Sequence, residues 1–423
     1  MARDPGGGLK RHLRMDLSPL RESRDLRILF AGGGISFAGS MLTYVALPYQ
    51  AYQLSHSSLV VGLLSLAELI PLLATAFIGG ALADAVDRRR MLRLTEVGQC
   101  LATAVLVLNS ALGRPQLWVL FAVSVVTAGV DGLQRPSLDA IVPQIVRPEQ
   151  LAATSAIMSV RSQLGMIAAP ALTGVIIAAG GLTLTYSLDV ASFVISLGFL
   201  WRLGTMPPPA GDSDLSLAAI RAGLSYAWAR KDLLGTYLVD MNAMFFGMPN
   251  ALFPQIASHM GGASALGVLY ASPAVGSFLV TLTSGWTAKV RRHGRMIAVA
   301  ATVWGAGIVL LGFASALWVA ALGLVAAGAG DMVSGLGRMT MWNQSIPDGL
   351  RGRLAGIEML SYSSGPTLGN VEAGLVETFA GLRTSIVAGG VFSIVGTGLL
   401  SLALPAFWRY DAREGAKLRH ATG

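Results

Sequence analysis

Apolar runs of membrane-spanning length recur along the whole chain, each closed by a short turn or a cluster of charge. About 20 apolar residues make a helix long enough to cross the hydrocarbon core of a bilayer. Twelve runs of this kind are predicted. Six lie near Leu26–Leu54, Leu59–Ala83, Met91–Leu112, Leu117–Gln134, Leu151–Ala179 and Leu182–Leu203. Six more lie near Leu233–Ile256, Leu266–Ala288, Met296–Ala314, Leu317–Thr340, Leu354–Phe379 and Ile386–Phe407. Between the sixth and seventh, Pro207-Pro-Pro209 to Asp232 interrupts the rhythm with Asp212, Asp214 and an amphipathic stretch near Leu215–Trp228. That stretch is expected to lie as a short helix on the membrane face. Ser137–Gln150, with Pro143 and Arg147-Pro-Glu149, reads as an interfacial connector.

The second six echo the first. Gly80, Ala83, Arg90 and Met91 align with Gly285, Ala288, Arg295 and Met296 at a step of 205. Gly132-Leu133-Gln-Arg135 aligns with Gly335-Leu336-Gly-Arg338 at 203, and Leu151-Ala152 with Leu354-Ala355 at the same step. Three pairs in one order point to a duplicated half of about 200 residues. The expected organisation is a tail over 1–25, a six-helix bundle over 26–203, a linker over 204–232, a second bundle over 233–408 and a tail over 409–423.

Composition narrows the class. Of 423 residues 53% are hydrophobic and 13% charged, with mean hydropathy +0.60, too little charge for the surface of a soluble chain this long. The net charge of +8 invites a nucleic-acid reading, which its distribution excludes. All but three of the 31 lysines and arginines fall in the tails and in alternate connections if both termini are cytoplasmic. Arg114 and Arg383 lie outside, and Arg161 lies within the fifth span. That is positive-inside sorting. Cys100 is the lone cysteine, so no internal disulfide is expected. The long first apolar run behind an extended basic preface predicts an uncleaved signal anchor.

No enzyme is expected. The chain has no G-x-x-x-x-G-K-[ST] phosphate loop, no H-E-x-x-H zinc site and no G-x-S-x-G nucleophile turn. No cofactor or metal is predicted. His56, in the turn Ser55-His-Ser-Ser58, reads as a solvated loop residue.

The organising stretch is Gly79-Gly-Ala-Leu-Ala-Asp84-Ala-Val-Asp87-Arg-Arg-Arg90. It resembles the loop between the second and third helices of the major facilitator superfamily, matching at Gly80, Leu82, Ala83, Asp84, Arg88 and Arg89. Ala85 and Asp87 depart from the usual basic residue and glycine. Gly165-Met-Ile-Ala-Ala169-Pro170-Ala-Leu-Thr173-Gly174 is similar to that superfamily's antiporter signature, with Ala169 and Thr173 in place of two glycines. Gly365-Pro366-Thr-Leu-Gly369 repeats it in the eleventh span. The residue-level alternative is that these small residues only let helices cross closely. Val130-Asp131-Gly132, Val160-Arg161-Ser-Gln-Leu-Gly165, Gly267-Val-Leu-Tyr-Ala-Ser-Pro273 and Leu350-Arg-Gly352-Arg353-Leu354 resemble the branch containing enterobactin exporters and drug efflux proteins.

The resemblance implies an all-α membrane protein of twelve transmembrane helices in two pseudo-symmetric six-helix bundles. It implies a monomeric secondary transporter in the plasma membrane, exporting an amphipathic siderophore or drug by alternating access and exchanging it for protons. An uptake facilitator of the same fold and a non-transporting membrane sensor are the alternatives. Gly80, Asp84, Arg88, Arg89 and Asp131 are expected to form a conformational latch, with Arg88 reaching Asp131. Glu68, about nine residues or 14 Å into the second span, is expected to face a cavity because an ionised carboxylate there costs about 2.5–3.5 kcal/mol. Arg161 lies at similar depth, and the two are the candidate proton or substrate site with Asp240 and Glu372 in reserve. The arginine usual early in the fourth helix of drug/proton antiporters is missing from Leu117–Val130.

Overall fold

A computed structural model describes residues 16–205, 228, 230–346 and 351–412, without the side chains of 76–85, 139, 288 and 351–360. The described residues are helical almost throughout. Nine of their helices are long and apolar enough to cross a membrane. The first four spans are α1 (Arg24–Ser55), α2 (Ser58–Ala85), α3 (Arg88–Ala111) and α4 (Leu117–Ile145). Next comes a 50-residue helix, Leu151–Leu200, broken where Gly181 adopts φ 73° and ψ −175°. The break divides it into two arms, α5 and α6. The second half comprises α7 (Lys231–Phe246), α8 (Ala263–Thr283), α9 (His293–Phe313), α10 (Leu317–Ser345), α11 (Arg351–Ala380) and α12 (Leu382–Ala403).

Three boundaries differ from expectation, each for a local reason. The predicted connector Ser137–Gln150 is largely helix, because α4 runs through Pro136 and Pro143 to Ile145. Only Pro148–Gln150 forms a separate 3-10 turn. The seventh span, expected as one helix over Leu233–Ile256, stops at Phe246 and resumes as Phe253–Met260. Gly247, Pro249 and Pro254 explain the interruption, since glycine and proline weaken or break a helix interior. The tail expected over 1–25 is helical over Ser18–Glu22, where Glu22 pairs with Arg147 and accepts from Gln150 Nε2 at 3.0 Å. The amphipathic helix expected at Leu215–Trp228 lies outside the described residues, Trp228 apart.

Helix packing repeats between the halves. α1 packs on α5 and α6, α2 on α4, and α3 on α6. Correspondingly α7 packs on α11 and α12, α8 on α10, and α9 on α12. The halves meet along two seams, α2 on α11 and α5 on α8. Connections alternate between a basic end and a far end. Turns at the far end use left-handed residues, namely Gly181, Gly261, Gly262, Gly381 and one non-glycine, His56 at φ 51°. His56 thus closes α1 in its C-cap position, and its ring lies edge-on to Tyr52 at 6.3 Å.

Glycines set the spacing of both seams. A methyl group on Gly62 would stand 2.5 Å from the Asn370 carbonyl oxygen, and one on Gly374 would stand 2.7 Å from Leu59 Cα. On the other seam a methyl on Gly174 would stand 2.5 Å from the Ala263 carbonyl, and one on Gly267 would stand 2.7 Å from that of Pro170. These backbones touch with no room for a side chain, which is how membrane helices gain van der Waals attraction in a solvent as apolar as they are.

Candidate functional site

The far ends of the two halves are joined by polar contacts. Ser58 Oγ donates to Gln255 Oε1 at 2.8 Å, and Gln255 Nε2 donates to Glu377 Oε1 at 2.9 Å. The broken seventh span exposes the Ala251 amide, which donates to Asn370 Oδ1 on α11 at 3.1 Å. Tyr44 of α1 accepts from Asn250 Nδ2 at 3.4 Å. A kink that frees backbone groups is tolerated in a membrane only where neighbours satisfy them, and Asn370 does so here.

Below this seal an aromatic cluster spans both halves. Tyr44 meets Tyr270 of α8 edge-on at 5.5 Å, and Tyr270 meets Phe253 at 5.0 Å. Tyr44 remains 48% exposed at this junction of the halves. Glu68 of α2 is half-buried and lies within electrostatic reach of both tyrosines, with Ser124 of α4 beside it. Among the described residues Glu68 has no ion-pair partner.

Arg161 is not beside it. Its Nη1 turns to the Leu29 and Phe30 carbonyls of α1, at 3.4 and 3.2 Å, and its guanidinium stacks 5.6 Å from the Phe30 ring. Gly33 and Gly34 leave the space that the side chain occupies. Leu29 and Phe30 are only about 8 Å along α1 from its start, so the long side chain reaches towards the basic end and keeps its head near the interface. Glu68 and Arg161 start from similar depths and end apart.

The second half holds an ion network. Arg338 of α10 pairs with Asp240 of α7 through one nitrogen, while its other terminal nitrogen lies 3.8 Å from Asp331. The Arg338 and Asp240 side chains are 14% and 10% exposed. Arg338, expected with the basic-end connections, lies seven residues inside the end of α10. Its spacing from Asp331, two helical turns on one face, is the signal that would have found it. Glu372 is half-buried and has no ion-pair partner among the described residues.

Two carboxylates that the sequence did not single out are more buried than Glu68. Glu96 of α3 is 3% exposed and accepts from Gln134 Nε2 at 3.2 Å. Asp189 of α6 is 1% exposed and accepts from the Thr43 and Ser192 hydroxyls. Both are lone acids in apolar runs, the same signal that marked Glu68.

The latch residues have these placements. Gly80 lies within α2 near its basic end, and the side chain of Asp84 is outside the described ones. Arg88, 5% exposed, donates Nη1 to the Ala140 carbonyl at 2.7 Å, whereas Asp131 accepts from Gln99 Nε2 at 2.6 Å. Arg89 and Arg93 donate to the carbonyls of Leu200 and Trp201 at the end of α6, where cations favour the helix dipole. Asp87 caps α3, accepting from the Arg89 and Arg90 amides. In the signature of α5, Gly165 faces the Phe37 ring of α1, Pro170 is buried and Gly174 meets Gly267 of α8. In the α11 counterpart Gly365 and Gly369 press on Met244 of α7, Gly369 against its carbonyl oxygen, with Pro366 inside the helix.

Comparisons with known proteins agree with this architecture. Residues 15–419 match the family described as transmembrane secretion effector. The enterobactin exporter EntS of Citrobacter koseri is 27% identical over 395 residues, covering 92% of this chain and 94% of that protein. The enterobactin exporter EntS of Salmonella choleraesuis is 28% identical over 405 residues, with 92% and 94% covered. Among solved structures, the nucleoside transporter NupG (a mutant form) superposes with a TM-score of 0.74 at 13% identity, covering 90% of this chain and 98% of that one. A peptide transporter POT gives 0.75 at 13% identity, with 92% and 95% covered. At that identity the structures speak for the fold alone. The chain belongs to the transmembrane secretion effector family of the major facilitator superfamily, whose members are multi-pass membrane transporters and not enzymes.

Proposed function

We propose that this protein is a secondary active exporter of an amphipathic, aromatic small molecule of the siderophore class, exchanged for protons across the inner membrane. The relatives named as enterobactin exporters, aligned over 92% of the chain, carry the substrate class. The observation that carries the site is Glu68, half-buried with no ion-pair partner among the described residues and within electrostatic reach of the part-exposed Tyr44 ring at the junction of the halves. Tyrosine faces suit an aromatic solute, and each pair adds about 0.5–1.5 kcal/mol beyond area burial. An acid in a membrane interior without a counter-ion is the group best able to trade a proton for substrate. The family's few intramembrane charges serve this purpose at the interface of its repeats.

Glu68 takes the proton role, with Tyr44 and Tyr270 as the aromatic walls. The Asp240–Arg338–Asp331 network supplies a second charged wall, and Glu372 a reserve acid. Arg161 braces α5 on α1. Gly80, Asp84, Arg88, Arg89 and Asp131 form the basic-end latch, and Gly165, Pro170, Gly174, Gly365, Pro366 and Gly369 are the close-packing surfaces on which the helices rock. Both termini are cytoplasmic, which places the far-end seal of Gln255, Glu377 and Asn370 on the outer side, and the working unit is a monomer.

The test is transport in proteoliposomes with a catecholate siderophore as probe. An exporter accumulates it against its gradient when a pH gradient is imposed. Equilibration without accumulation identifies a facilitator, and absence of movement with folded protein identifies a sensor; either defeats the proposal.

A further inference from the structure

Helix α9 stands as a ridge between two apolar grooves on the outside of the second half. One groove, of about 540 Å³, is bounded by α8, α9 and α10, with Val280, Val303 and Val333 on its walls. The other, of about 330 Å³, runs between α9 and α12 past Thr302 and Leu402. Val299, 59% exposed, lines both.

Both grooves lead towards Arg295. Arg292 and Arg295 close the first at the basic end. The Arg295 guanidinium lies 5.2 Å from the ring of Trp408, which lines the second. Arg295 Nε is buried and has no hydrogen-bond partner among the described residues. Neither arginine has an ion-pair partner among the described residues. Trp286, 44% exposed, sits at the same level in the first groove, the position where indoles collect at a bilayer interface. From Arg295 to Val303 is eight residues, about 12 Å along the helix, so the grooves run from the interface into the hydrocarbon.

Two apolar grooves sharing one ridge and one cationic mouth have the shape of a two-tailed amphiphile with a single negative head. We propose that α9 is straddled by one anionic diacyl phospholipid, its acyl chains in the two grooves and its headgroup phosphate on Arg292 and Arg295. Basic pockets between membrane helices hold acidic headgroups by this pairing. Charge selects the anionic lipid, because a zwitterionic head would bring its own cation to a mouth already holding two. The site lies on the lipid-facing side of the second half, away from Glu68, so it stands whether or not the substrate proposal does.

Native mass spectrometry of the full-length protein, delipidated in detergent and incubated with equal phosphatidylglycerol and phosphatidylcholine, tests this. One tightly held phosphatidylglycerol is expected, preferred by roughly 10-fold. Arg292→Gln with Arg295→Gln should bring the two lipids to parity, while Arg383→Gln at the far end leaves the preference intact. Val299→Trp, which obstructs both grooves without touching charge, should release the bound lipid and provides a second reading if the double variant misfolds. Equal retention of both lipids by the native protein overturns the proposal, as does an undiminished preference in a folded double variant. Displacement by millimolar inorganic phosphate would mark an anion site without acyl grooves and overturns it as well.

Discussion

Arg338 and Asp240 form an ion pair between α10 and α7, with Asp331 on the second side of the guanidinium. Two acids share one buried cation, so the network carries more negative than positive charge. Losing one partner of a buried pair costs about 3–5 kcal/mol, whereas replacing both is often near neutral. Arg338→Gln is therefore expected to lower the thermal midpoint in detergent sharply. Arg338→Gln combined with Asp240→Asn should recover most of the loss. If the double variant is as unstable as the sum of the singles, the pair is not coupled.

Glu68→Gln keeps the shape of the side chain and removes its proton exchange. In reconstituted vesicles pH-driven accumulation is expected to fail, while substrate counterflow, which needs no net proton movement, persists. Unchanged pH-driven uptake would reduce Glu68 to a packing residue. Arg161→Lys should leave the coupling intact, because a lysine can still reach the Leu29 and Phe30 carbonyls that the arginine now serves.

Gly62 abuts the Asn370 carbonyl so closely that alanine cannot enter without moving α2 from α11. Gly62→Ala should therefore bias the protein towards separation of the far ends, weakening the contact of Asn370 Nδ2 with Ser65 Oγ, 3.4 Å in this state. With Cys100 replaced, a cysteine at Ser65 should react several-fold faster with an impermeant thiol reagent when Gly62 is alanine, since a change of about 1.4 kcal/mol is tenfold in population. Equal rates would show that the seam yields elsewhere.

The distribution of basic residues supports the proposal that both termini are cytoplasmic. A cysteine at Gly262, in a far-end turn, should be labelled by the impermeant reagent in whole cells, and one at Ser213 only after lysis. Labelling at Ser213 in intact cells would reverse the topology.

Much of the architecture was legible in one dimension. Span length and the charge-marked turns follow from the bilayer itself, which demands helices of one length with polar ends, and the 203–205-residue echo reads as the mark of a repeated half. Gly80, Asp84 and the glycine-proline signatures carried the family resemblance for the same reason, because close helix contact needs small residues wherever it occurs. The role of Arg338 was not legible because its partner Asp240 lies on another helix, and the pair forms only when α10 and α7 come together. The break after Phe246 was missed because its flanks stay apolar across Gly247 and Pro249.

By itself, then, the chain marked a succession of helices long enough to cross a bilayer, the basic turns that separate them, and a few acids within the apolar runs. Only the tertiary structure decided which groups meet: Arg338 with Asp240, Arg161 with carbonyls of α1 rather than with Glu68, Glu68 among tyrosines from both halves. The physical reason is the solvent. In water the polar face of a helix betrays its outward direction, but lipid and protein interior are equally apolar. Rotation of each helix about its axis leaves little trace in the apolar pattern, and it is rotation, together with the reach of long side chains, that chooses partners.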